Sequence, residues 1–286
     1  MFKKVSWKIV SVCMQDPNRQ FSFSDLLKIT ASGPTNVQKA LQELKPLFIN
    51  KKEGAKKLYQ LDLNSHLVQS LFLTYAWEKV NHFPQTVISC IEALLRRSPS
   101  ALSIYLFGSS VYSMEPNDID IAVVYEGSKV KLESAWEEVR SDFQENVEVH
   151  FISKKDFVRM FKEGNYRLTS TLKGCLVLQD RDFLFHYLGK IPLPEKQFLL
   201  AQVNQLQSSV KKCFTLYRDN KEKCEELQKT IWLDFLRVYI AVKGEIPGSK
   251  HQLEKESAKL GLNVKKRGLW ESLEWMEKTL REIKVM

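Results

Sequence analysis

Two aspartates one residue apart, Asp118 and Asp120, head the apolar run DIDIAVV. A carboxylate in such surroundings costs free energy unless something pairs with it. Side chains alternate along a strand, so the two acids share one face while Ile119 and Ile121 enter the core. Like charges this close repel, and a divalent cation, or two, relieves the repulsion; hard oxygen ligands suit magnesium. A third acid, Glu148, stands between Val147 and Val149 in VEVHFIS. It completes a three-carboxylate cluster if that run lies beside DIDIAVV. Upstream, Gly108, Ser109 and Ser110 follow the apolar run ALSIYLF. Serines and backbone N–H groups at a helix start after a glycine can hold phosphate oxygens. Ser110 serves there either as a further phosphate contact or as a helix cap. His150 shares the face of Glu148 and can approach the site, although a histidine so placed is more often a spectator bonded to a neighbour. The competing explanation of DIDIAVV is a half-buried edge strand with solvated acids.

The elements that must position these groups follow from periodicity. ALSIYLF predicts a strand, GSS a sharp turn into a short helical segment, MEPN a loop and DIDIAVV a second strand. After the helix KLESAWEEVRSDF, VEVHFIS predicts a third strand, followed by the helix SKKDFVRMF and the strand GCLVLQ. Hydrophobic-Gly-Ser, a loop, Asp-hydrophobic-Asp-hydrophobic and a separate acid-bearing strand resemble the nucleotidyltransferases of the polymerase-beta superfamily, most of all the small prokaryotic minimal type. The resemblance implies a small mixed-sheet domain over residues 86–185. In it Gly108 and Ser109 bind the triphosphate of an NTP, with Ser110 as an extra contact. Asp118 and Asp120 ligate Mg2+, two ions in this family, and Glu148 helps bind one of them and activates the attacking hydroxyl. Two features depart from the family pattern: SVYSMEP stands where many minimal members carry Arg-Gly, and the third acid is Glu instead of Asp. A chain that kept the fold and lost the activity would read the same way.

Ahead of this domain, residues 2–14 carry apolar positions at helical spacing, and Ser24 is read as the N-cap of DLLKIT. Pro34 suits the first position of the helix TNVQKALQEL, which buries Val37, Leu41 and Leu44 and exposes Asn36, Gln38, Lys39 and Gln42. LFIN and KLYQLDL predict two strands joined by a Gly54-centred loop bearing Lys51, Lys52, Lys56 and Lys57. Of the formal net charge of +9, +6 falls within residues 1–65, which points to a polyanionic partner. The order of these elements resembles a winged helix-turn-helix domain over residues 1–64. That implies DNA as partner, with Asn36, Gln38 and Lys39 in the major groove and the four lysines on phosphates. A protein-docking module with solvated lysines is the alternative. Residues 65–85 read as a linker helix.

From residue 186 onward the period is helical, as in Leu199, Val203, Leu206, Val210 and Phe214. This predicts an antiparallel bundle over residues 186–286, bringing the fold class to α+β multidomain. It resembles the HEPN-like or substrate-binding bundles that accompany such nucleotidyltransferases, implying a role in acceptor binding or in a homodimer. Arg181 and His186 match the spacing of a HEPN ribonuclease signature but precede the bundle. Five scattered cysteines without a CxxC pair speak against a disulfide framework or zinc site and for a reducing cytoplasm. The apolar runs are too short for a membrane helix, and the start reads as an amphipathic helix instead of a signal peptide. Two functions follow as expectations. One is transfer of a nucleoside monophosphate from an NTP to a hydroxyl of a protein, RNA or small-molecule acceptor, near DNA. The other is a DNA-binding regulator or antitoxin-like protein whose middle domain is weak or inactive.

Overall fold

The computed structural model describes residues 4–54, 56–113, 118–143, 145–248 and 269–285, together with residues 252, 253 and 257. These form two compact units, one of residues 1–157 and 172–191, the other of residues 158–171 and 192–286.

The first unit begins with α1 (Lys4–Gln15), whose Ile9, Val10, Cys13 and Met14 are buried. The short β1 (Phe21–Ser22) leads into α2 (Phe23–Thr30). The cap of α2 is Ser22, not Ser24 as the sequence suggests. The Ser22 hydroxyl accepts from the Asp25 N–H and the Asp25 carboxylate accepts from the Ser22 N–H, a reciprocal capping box. Ser22 stands three residues before Asp25, the spacing such a box needs, whereas Ser24 is too close. Pro34 opens α3 (Pro34–Glu43), which buries Val37, Ala40 and Leu41. β2 (Phe48–Glu53) and β3 (Lys56–Leu61) pair antiparallel, and Gly54, at a φ of 58°, lies in the turn between them. With β1 the sheet order is β1-β3-β2. Two helices follow, α4 (His66–Val80) and α5 (Gln85–Arg97).

A four-stranded mixed sheet completes this unit. It contains β4 (Ala101–Phe107), β5 (Ile119–Tyr125), β6 (Val147–Ser153) and β7 (Leu176–Asp180), in the order β6-β5-β4-β7. β4 runs antiparallel to β5 and β7, while β5 and β6 are parallel and joined through α6 (Lys129–Phe143). A parallel pair needs such a crossover, and the helical run between the two acid-bearing strands supplies it. Ile104, Tyr105, Leu106, Ile121, Val123 and Val177 are fully buried and anchor the central strands. Asp180 holds the chain where it leaves β7, accepting from the backbone N–H groups of Phe183, Leu184 and Phe185 and from the Ser103 hydroxyl. Arg181 and His186 fall in the same unit, with His186 Nε2 3.3 Å from Asp182 Oδ1.

The segment Lys154–Lys162 forms α7 and Tyr166–Leu172 forms α8. The second unit is built mainly on α9 (Lys196–Asp219), α10 (Lys221–Val242) and α11 (Leu269–Val285). α9 and α10 reverse at Asn220, and the Cys224 thiol reaches the Cys213 carbonyl at 3.3 Å. Val203, Leu206, Phe235, Leu273 and Met276 share one buried core, as helical spacing predicts. Tyr166 joins that core and donates to Gln202 Oε1 at 2.8 Å. Among the described residues no helix is long and apolar enough to cross a membrane.

Candidate functional site

The site lies where β4 turns toward β5. Gly108 has a φ of 75°, a left-handed conformation that strains any residue carrying a Cβ. A Cβ there would also collide with the Asp120 carboxylate. The bend therefore places backbone directly against an acid, and a side chain there would have to push the Asp120 carboxylate aside. In the β4–β5 register Phe107 stands opposite Asp120, and in the parallel β5–β6 register Asp120 stands opposite Glu148. The expected meeting of those two acids across adjacent strands is thus a property of the register.

The third member of the group is His150. Ligand atoms of Asp120, Glu148 and His150 lie within 4.8 Å of one another. His150 Nε2 is 3.5 Å from Glu148 Oε1 and 3.9 Å from Asp120 Oδ1, and its ring lies 5.3 Å from that of Phe107. The Asp120 carboxylate foremost, and then the Glu148 charge, raise the His150 pKa above its ordinary 6.5, against the opposing effect of burial. A raised pKa means the imidazolium is held by the acids. The sequence alone reads His150 as a spectator. Its spacing of two residues from Glu148 already puts it on that acid's face, since i and i+2 share a strand face, and the distances place it beside both acids.

The other expected groups are placed differently. Asp118 is exposed just ahead of β5, and its Oδ1 accepts from the Ser109 hydroxyl at 2.9 Å. This bond ties the glycine–serine turn to the first aspartate. Ser110 is 1% exposed and donates to the Phe107 carbonyl at 2.8 Å, so its hydroxyl closes the turn. The loop MEPN, residues 114–117, lies outside the described residues. Beside Glu148, a cavity of about 510 Å³ runs along β6 and α6, with Trp136, Arg140 and Phe151 in its walls.

Two carboxylates and an imidazole together form a donor set for a divalent cation. Carboxylate oxygens suit magnesium and manganese, and imidazole extends the range toward zinc. The cluster fits such an ion in donor number and chemistry, with Asp118 two residues before Asp120 along the chain.

In the N-terminal region Asn36, Gln38, Lys39, Lys51, Lys52, Lys56 and Lys57 are all exposed. They occupy α3 and the β2–β3 hairpin.

No family model matches the chain, and no curated protein matches it. A solved structure, that of a nucleotidyltransferase-like protein from Exiguobacterium sibiricum 255-15, is similar over 68% of this chain and 74% of its own, at 12% identity and a TM-score of 0.34.

Proposed function

We propose that the chain is a magnesium-dependent nucleotidyltransferase that moves a nucleoside monophosphate from an NTP to an acceptor hydroxyl. The observation that carries this reading is the parallel register that sets Asp120 opposite Glu148, beside a left-handed glycine turn. In the reading, Asp120, Glu148 and Asp118 hold the cation, and the Gly108–Ser109 turn receives the triphosphate. Bound magnesium would supply the neutralising charge that phosphoryl transfer requires. Glu148 accepts the proton of the acceptor hydroxyl as its oxygen bonds to the α-phosphorus. The bond to pyrophosphate breaks in the same displacement. Ser109 keeps Asp118 oriented toward the turn. The exposed lysines of the hairpin and the polar face of α3 hold the enzyme near nucleic acid, DNA being the duplex form expected.

A second reading has its own observation. His150 Nε2 lies within ion-pair distance of Asp120 and Glu148, and its imidazole, when protonated, balances two facing acids without a resident ion. In that reading the chain is a DNA-binding regulator with an inactive middle region.

Incubation with labelled ATP, GTP, CTP and UTP plus magnesium separates the two. Label transfer to protein or RNA that disappears in Asp118→Ala and Asp120→Ala supports the enzyme. Equal behaviour of parent and variants, with salt-sensitive binding of a promoter fragment, supports the regulator.

A further inference from the structure

A cavity of about 420 Å³ opens between α3 and the β2–β3 hairpin. Its floor and walls are apolar and aromatic, formed by Leu41, Phe48, Phe23 and Tyr59. Phe48 and Tyr59 meet edge to face at 6.1 Å, which holds the Tyr59 ring in place. The rim is polar: Gln38 and Gln42 from the helix, Asn50 from the hairpin. Lys45 and Lys57 also line it, and among the described residues no acidic one does. Lys57 Nζ sits over the Tyr59 ring, 5.1 Å from its centre, so an ammonium lies against that aromatic wall.

The helix geometry sharpens this. At about 100° per residue, Leu41 and Gln42 lie about 60° and 40° from Gln38, so the three fall on one side of α3, while Asn36 lies about 160° from Gln38. Two amides of the helix therefore line the cavity, together with Leu41. Aromatic walls, amide side chains and two lysines lining one cavity match a planar heterocycle joined to a phosphate. Aromatic side chains stack on any base, and amide side chains bond to base edges.

We infer that this cavity takes an unpaired nucleotide of a nucleic-acid strand, the base against Tyr59 and Phe23 and its phosphate at Lys57 and Lys45. A strand fits better than a free nucleotide because exposed lysines continue past the cavity along the hairpin. Lys52 pairs with Lys57 in the β2–β3 register and shares the face of Asn50 and Tyr59, while Lys51 and Lys56 alternate to the other face. The Lys52–Lys57 pair would take the phosphate of a neighbouring nucleotide. The inference deepens the nucleic-acid part of the proposed function and draws nothing from the acidic site.

The test compares, for the full chain, fluorescence anisotropy on a blunt duplex and on the same duplex with a short single-stranded tail. The parent is expected to prefer the tailed duplex about tenfold, the scale of one base stacked on an aromatic ring. Read as the ratio of the two affinities, that preference is expected to fall close to unity in Tyr59→Ala and to shrink in the exposed-site variant Asn50→Ala. A ratio close to unity in the parent, or one unchanged in both variants, overturns the assignment. So does binding of free AMP as tight as that of the tailed duplex. Failure of the parent to bind either duplex removes the nucleic-acid part of the proposed function as well, whereas equal binding of both removes only the cavity.

Discussion

Asp120 and Glu148 face each other across two parallel strands, and His150, two residues beyond Glu148, lies within ion-pair distance of both. A lone acid on a strand is ordinary. Two acids in register beneath a glycine whose replacement would strain the turn and push aside the Asp120 carboxylate are a constructed arrangement.

Gly108→Ala tests that construction. The left-handed backbone costs about 1–2 kcal/mol for a residue with a Cβ, and the added methyl must also displace the Asp120 carboxylate. Urea unfolding is expected to show a loss of at least that size, with cation binding weakened in the folded fraction.

His150 should titrate above its ordinary value of 6.5 in the metal-free protein, with Asp120 as the main cause. Proton NMR of the imidazole checks this, and Asp120→Asn is expected to bring the midpoint down. The contribution to stability has a definite sign. A raised folded-state pKa gives stabilisation that is complete below 6.5 and is lost as pH rises through the folded value. The side chain is 42% exposed, so screening keeps the effect small. Cation binding runs the other way and weakens as the imidazole gains its proton.

The Ser22 cap predicts a local effect. Ser22→Ala removes the acceptor for the Asp25 N–H and the donor hydroxyl 2.6 Å from the Asp25 carboxylate. About 1 kcal/mol should be lost, visible as faster amide hydrogen exchange confined to the first turn of α2. Ser24→Ala should change exchange far less.

Much of the acidic site is legible in the sequence. Alternation in DIDIAVV and VEVHFIS puts the acids on one face of each strand and Ile121 and Val147 on the buried one, whereas the adjacency, parallel direction and register of the two strands are set by the fold. Other features are not legible. The hydrogen bond from Ser109 to Asp118 depends on how the chain returns from the turn, which spacing does not reveal. The two serines in FSFSD look alike until the three-residue spacing to Asp25 is weighed. His150 is ambiguous because a histidine on a strand is usually a bystander. The assignment of residues 158–171 to the helical unit comes from tertiary packing, with the Tyr166 ring 5.8 Å from that of Phe198. No local pattern marks it.

All five cysteines are free and buried. Burial pushes the thiols of Cys13, Cys175 and Cys213 up to about 12 and that of Cys90 to about 11, and raises Cys224 as well. Since the thiolate is the reactive form, Ellman's reagent should label none of them in the native protein at neutral pH. Full labelling is expected in denaturant.

The most direct test of the cation site is a titration with Mn2+, followed by the loss of its free-ion EPR signal, for the parent and for Glu148→Gln and Asp120→Asn. The account predicts binding by the parent at neutral pH and a drop of at least tenfold in affinity in each variant, the cost of about 1.4 kcal/mol per lost ligand. Binding of equal strength in all three proteins, or none in the parent, would contradict it.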